Sequence, residues 1–300
     1  MSAPVAQETW TVLGLLRWTT QHFKSRGLDS PRLDAECLLA HALGTDRLRL
    51  YLDFDKPVEA GERARFRELV RRRGADRVPV SILTGRREFW SLPLRVSGDV
   101  LTPRPETEVL VALALERFPG REAELAALDL GTGSGAIALA LACERPRAAL
   151  AASDVSPEAL ALARANAEAL GLGERVRFAL GSLFEPFAGE RFDLVAANPP
   201  YLADSEAASL PPELAFEPRR ALFAGPEGTE VLEALVAAAP GHLRPGGWLL
   251  LEIAPEQSSR VEGYCRAAGL EEIATHRDLA RRPRVVSARA PGGEASWTAS

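Results

Sequence analysis

The sequence predicts an α/β fold: a mostly parallel sheet of seven strands, preceded by a small all-helical domain. Three observations predict it. From Leu101 onward, short apolar runs alternate with single helical stretches, which implies right-handed strand–helix–strand crossovers. A glycine-rich turn, "GTGSG", joins the first of those runs to a helix. The first 75 residues show the helical period and no strand pattern.

The elements follow in order. Trp10, Leu13, Leu16 and Phe23 recur at helical spacing, and Gly27 ends the run. Ser30-Pro31 sets a polar N-cap before a proline at the first helical position. Leu33, Cys37, Leu38 and His41 follow on one side, up to Gly44. An amphipathic stretch over 57–73 stops at Gly74, so the helical domain is expected over residues 1–76. Residues 78–96 hold short β-rich pieces broken by Gly85 and Pro93, and 77–100 is read as a hairpin-like linker. Strands are expected at 125–130, 148–153, 176–180, 192–197 and 247–253, with helices at 136–143, 156–170 and 228–243. Two further strands, 271–275 and 284–288, lie close together and suit an antiparallel pair. The second domain thus spans 101–290, and the Gly/Ser-rich tail 291–300 is expected to be disordered.

Composition bounds the function. With 46% hydrophobic and 26% charged residues the chain reads as soluble and globular, and its net charge of −5 gives no general case for nucleic acid. Charge is uneven: residues 1–80 hold 14 Lys/Arg against 11 Asp/Glu, with the basic excess densest in "VRRRGADR". That run suits a solvated helix end, with cations near the C-terminus, better than a docking patch. Three scattered cysteines form no disulfide framework and point to a reducing cytoplasm. The four histidines lie at no metal-ligand spacing, so no metal is expected. No apolar run is long enough to span a bilayer.

Two constellations carry chemistry. Gly131, Gly133 and Gly135 let the backbone turn sharply and admit a ligand to the main chain. Asp129 precedes this loop. Asp154 ends the next strand, where a carboxylate can accept from both hydroxyls of a ribose. NAD and S-adenosylmethionine fit these features equally. They part at "FDLVAANPPY". Pro199 and Pro200 cannot continue a sheet, so the strand delivers Asn198 and Tyr201 to its end. A dehydrogenase does not need that corner, but methylation of a planar nitrogen does. The lone pair of an amide or exocyclic amine is delocalised, so the enzyme must mainly place the nitrogen against an already activated methyl. The Asn198 carboxamide oxygen and a carbonyl beside Pro199 can accept from an NH₂ group, and Tyr201 can cover its flat face.

Six stretches in order resemble the release-factor glutamine methyltransferases: "REFWSLPLRV", "LTPRPETEVLV", "LDLGTGSGAIALALA", "FDLVAANPPY", "FEPRRALFAGPEG" and "LRPGGWLLLEI". NPPY alone also occurs in adenine-N6 and other amino methyltransferases; its combination with PRPETE is far more specific. The resemblance implies a Rossmann-like class I methyltransferase whose cofactor is S-adenosylmethionine. Its substrate would be the glutamine in the GGQ loop of class I peptide chain release factors, methylated on the side-chain amide nitrogen. It also implies that Gly131, Thr132, Gly133, Ser134 and Gly135 wrap the methionine end of the cofactor and that Asp154 holds its ribose. Ser182 and Leu183 would meet adenine, with Leu183 making that packing aliphatic. Asn198 would bridge cofactor and substrate, and Pro199, Pro200 and Tyr201 would grip the glutamine amide. The helical domain would dock the partner, the enzyme acting as a cytoplasmic monomer without nucleic acid or membrane. The alternative is an adenine-N6 or guanine-N2 nucleic-acid methyltransferase, disfavoured by the acidic second domain and the lack of a large basic insert. Two features depart from the family: "APEQSS" stands where a glycine-containing turn is usual, and Pro283 stands at a strand start. Glu217 and Arg219, in "FEPRRALFAG", are expected to pair as ions within a segment folded over the NPPY corner.

Overall fold

The computed structural model of the chain describes residues 10–292; the expected tail lies outside them from residue 293. The chain divides into two compact units, one ending at Gly85 and one starting at Arg86.

The first unit is helical: α1 (Val12–Ser25), α2 (Pro31–Leu43), α3 (Arg47–Leu52), α4 (Ala60–Gly74) and α5 (Val80–Thr84). Local chemistry sets the ends. The Thr11 hydroxyl accepts from the Gly14 amide to start α1, and Gly44 stops α2 with a left-handed φ of 63°. Leu15, Leu16, Phe23, Leu38, Leu39, Leu50 and Phe66 form the core. The arginine run is only partly solvated. Arg71 pairs at the surface with Glu68 and Asp76, whereas Arg73 is buried and bonds Asp34 at 2.8 Å. Helix α5 occupies part of the stretch expected as a hairpin.

The hairpin itself opens the second unit as β1 (Arg86–Phe89) and β2 (Leu92–Arg95), paired antiparallel. Trp90 and Ser91 turn it with φ of 51° and 58°, the left-handed pair a two-residue hairpin loop needs. Next come α6 (Glu108–Arg117), β3 (Ala126–Leu130), α7 (Ala136–Glu144), β4 (Ala149–Asp154), α8 (Pro157–Ala169), β5 (Val176–Leu180) and β6 (Phe192–Ala197). The chain continues through β7 (Leu202–Ala203), β8 (Phe223–Gly225), α9 (Glu230–His242), β9 (Leu243–Glu252), α10 (Ser258–Ala267), β10 (Glu271–Arg277) and β11 (Pro283–Arg289).

The main sheet has seven strands in the order β10-β11-β9-β6-β3-β4-β5. The five strands from β9 to β5 run parallel, and β11 lies antiparallel to both β9 and β10. Pro283 begins β11, a position that asks no ladder donor of it. Both sheet faces are covered. On β6, Leu194 and Ala196 face the layer that holds α6 and α7, while Val195 and Ala197 face the layer of α9 and α10. Strand order reverses at β3, which has β4 on one side and β6 on the other. A crevice opens at the carboxyl ends of such strands.

Candidate active site

A cavity of about 500 Å³ lies in that crevice. Gly131 and Gly133 line it from the loop after β3, Asp154 from the end of β4, Ser182 and Leu183 from beyond β5, and Asn198, Pro199 and Pro200 from the end of β6.

The three loop glycines do different work. All have positive φ, at 70°, 56° and 86° for Gly131, Gly133 and Gly135. A Cβ at Gly131 or Gly133 would meet no protein atom within 4 Å, whereas one at Gly135 would press on Leu139 at 3.0 Å and Ala163 at 3.3 Å. The first two therefore leave open space at the cavity wall, and the third lets α7 approach α8. Asp129 holds the loop from beneath. Its Oδ2 accepts from the Thr132 hydroxyl at 2.7 Å and the Ala138 amide at 3.1 Å. Burial pushes this carboxyl up to about 6, and those two bonds oppose the shift.

Asp154 accepts from the Gly133 amide on one oxygen and the Ser156 amide on the other, both at 2.9 Å. Each oxygen keeps a second acceptor site. Ser156 supplies the N-cap of α8, accepting from the Ala159 amide at 3.1 Å, so Asp154 is not needed for that task. Leu183 adopts a left-handed φ of 46°, and its carbonyl accepts from the Ser153 hydroxyl at 3.3 Å.

At the NPPY corner, Asn198 Nδ2 donates to Thr107 Oγ1 at 3.1 Å. Its Oδ1 is buried and has no hydrogen-bond partner. That amide oxygen, on a residue of the cavity wall, is an acceptor awaiting a donor. Gln257 stiffens the corner from behind: its Nε2 donates to the carbonyls of Tyr201 at 2.8 Å and Gly228 at 2.9 Å. Gln257 belongs to "APEQSS", so this departure from the family's usual turn has a structural use here.

Four expected site residues do not line the cavity. Thr132 turns its hydroxyl to Asp129, Ser134 gives its carbonyl to Asn166, and Gly135 caps α7. Tyr201 is half-buried beside the layer under α9, and burial pushes its phenol up to about 12. The expected Glu217–Arg219 pair also differs. Glu217 is buried and pairs with Arg104 at 2.5 Å, while Arg219 lies over the Phe223 ring at 4.2 Å. Arg104 reaches the buried carboxylate because the segment does fold back, with β8 pairing beside β7 just after NPPY.

Residues missed in the sequence also shape the site. Val100, Leu101 and Arg220 line the cavity, and Thr107 and Glu252 lie behind Asn198. Glu252 carried a signal: it is a lone acid at the end of the apolar run "WLLLE".

Residues 14–85 match the PrmC N-terminal domain family, and residues 107–225 match the methyltransferase small domain family. The chain is 44% identical over 284 residues to a release factor glutamine methyltransferase of Rhodopirellula baltica, covering 93% of this chain and 96% of the relative. It is 48% identical over 261 residues to the enzyme of the same description from Xylella fastidiosa, covering 87% and 94%. A methyltransferase structure from Pyrococcus furiosus shares the fold with a TM-score of 0.50 at 18% identity, over 67% of this chain and 89% of that one. Identity at this level along nearly the whole chain, with a methyltransferase sheet and its crevice, leads to one conclusion: the chain belongs to the release factor glutamine methyltransferase family.

Proposed function

We propose that Asn198 presents the side-chain amide of a glutamine, in the GGQ loop of a class I peptide chain release factor, for methylation on nitrogen. The observation that carries this is the buried, partnerless Oδ1 of Asn198, a residue of the cavity wall. A carboxamide NH₂ offers the two donors that Asn198 Oδ1 and the main-chain carbonyl beside Pro199 can accept. Accepting from that nitrogen also favours the positive charge that grows on it during transfer. Pro199 and Pro200 restrict the backbone that carries these acceptors. No side-chain base is required, because the methylated nitrogen sheds its proton readily.

The cavity suits S-adenosylmethionine, which supplies a sulfonium-activated methyl when bound. Gly131 and Gly133 leave space beside the main chain, Asp154 keeps acceptor sites for two ribose hydroxyls, and Leu183 offers an aliphatic wall for a planar base. Thr132, Ser134 and Gly135 act by shaping the loop. Tyr201 braces the corner through its backbone carbonyl. The helical unit docks the release factor, a reading supported by its separate core and its match to the PrmC N-terminal domain.

The test is direct. The protein is incubated with S-adenosylmethionine and a release factor, and the GGQ peptide is weighed after digestion. A gain of one methyl on the glutamine is expected. No gain there, with methyl transferred instead to RNA or DNA, would overturn the reading.

A further inference from the structure

The sheet holds one end of the NPPY corner, where Ala197 pairs with Leu130 of β3 and Leu251 of β9. Pro199 and Pro200 follow on the cavity wall, and each ring fixes its own φ. The path of these two residues then depends on what holds the far end, at Tyr201. We propose that Gln257, in the turn between β9 and α10, is that hold and acts as a positioning residue for methyl transfer. The inference rests on the reading that this corner takes the substrate amide.

Gln257 is buried, and both ends of its carboxamide are engaged. Oε1 accepts from the Ala254 amide at 3.1 Å, while Nε2 donates to the carbonyls of Tyr201 at 2.8 Å and Gly228 at 2.9 Å. These partners allow one orientation of the group, because a backbone amide only donates and a backbone carbonyl only accepts. The bond to Ala254 shapes the local turn into α10. The two Nε2 bonds are not local, since they reach 56 and 29 residues back along the chain. They spend both donors of the side chain on the corner and its neighbour.

Gly228 is that neighbour. With a φ of 75° and no Cβ, it packs directly on the chain leaving the corner; a Cβ there would lie 2.9 Å from the Tyr201 carbonyl oxygen. The next residue is held too, the Leu202 amide donating to the Leu222 carbonyl at 2.9 Å. Without Gln257 the Tyr201 and Gly228 carbonyls both lose a donor, and the corner loses its fixed far end. Gln257 does not line the cavity, so it acts through the path of Pro199 and Pro200. In-line methyl transfer is sensitive to that path, because a displacement of about 1 Å costs on the order of 100-fold in rate.

The test compares Gln257→Met and Gln257→Glu with wild type in the full chain, using S-adenosylmethionine and a GGQ peptide. Gln257→Met keeps the length and removes the donors. It is expected to lower kcat and kcat/KM together by about 10- to 100-fold. KM for the peptide and Kd for S-adenosylmethionine should stay within about threefold of wild type. Gln257→Glu keeps the shape. Protonated, it donates to one of the two carbonyls; ionised, it sets an acceptor against both. Its kcat relative to wild type is expected to fall about tenfold between about pH 6 and about pH 9, since burial lifts such a carboxyl into that range. Hydrogen exchange reads the corner without activity: the Leu202 and Ala203 amides should exchange faster in Gln257→Met, while those of β3 and β4 hold. An unchanged kcat in Gln257→Met would overturn the proposal. So would a loss of stability or cofactor affinity large enough to account for the fall in kcat, or a Gln257→Glu ratio that stays flat with pH. Should Gln257→Met not fold, the Gln257→Glu ratio decides alone. A wild-type protein that put no methyl on the GGQ glutamine would sink the substrate reading instead, and the exchange rates would still decide whether Gln257 holds the corner.

Discussion

Asn198 donates with its nitrogen and leaves its buried oxygen without a partner. A buried unpaired acceptor costs about 1–3 kcal/mol, which a substrate amide would recover on binding. Asn198→Ala removes both acceptor and cost. Transfer is expected to fall by at least about 10²-fold, the range seen when one preorganised polar group is deleted. Thermal stability and S-adenosylmethionine affinity should stay near wild type. A single-turnover methyl-transfer assay beside a melting curve checks this. Buried acids give a second prediction at this scale. Glu252 sits at about 7 against an ordinary 4.5, and Asp129 at about 6 against 3.8. Between the unfolded and folded values the native state binds more protons, so the contribution of these two groups to stability is fullest below about 4 and is lost as pH rises toward 7. Glu252 alone accounts for a fall on the order of 3 kcal/mol across that window. Urea unfolding at pH 5 and pH 8 should show the fall, and Glu252→Gln should reduce it.

The loop after β3 makes a sharper prediction than its glycine count suggests. Gly131→Ala and Gly135→Ala both put a side chain at positive φ, which costs about 1–3 kcal/mol. Only Gly135→Ala also meets packed atoms, so it should lose more stability. Gly131→Ala projects its methyl into open space at the cavity wall and should weaken S-adenosylmethionine more than its stability loss explains. Denaturant midpoints and cofactor titrations on the two variants separate the effects. Gly228→Ala belongs with Gly135→Ala. Its Cβ would lie 2.9 Å from the Tyr201 carbonyl oxygen and 2.8 Å from the Ala203 amide, both backbone atoms that cannot step aside. Elements of this size also mark where the sequence was readable. The parallel strands were legible because they are apolar runs with turn residues at both ends. Helices α3 and α5 span six and five residues, too few for a period to emerge. The places of Asn198, Gly131 and Asp154 on the cavity wall were legible because each stands at a strand end with a distinctive neighbour. Thr107 and Gln257 were not, since their use depends on partners 91 and 56 residues away in sequence.

At the scale of the molecule, two units carry two separate cores. The first buries Leu15, Leu16, Phe23, Leu38 and Phe66 among its own helices. The second sandwiches its sheet between two apolar layers drawn from its own elements. Every residue of the cavity wall also belongs to the second unit. A fragment of residues 86–300 therefore retains a complete sheet, both layers and the whole candidate cofactor site. It is expected to fold cooperatively and to bind S-adenosylmethionine with a Kd close to that of the full chain. If the helical unit docks the release factor, the fragment should lose affinity for that protein by at least about tenfold, the effect of about 1.4 kcal/mol of contact. It should lose far less activity toward a short GGQ peptide, which needs only the cavity. Calorimetric titration with the release factor and the cofactor, beside peptide turnover, reads all three quantities. Equal release-factor affinity for fragment and full chain would show that docking belongs to the sheet unit alone.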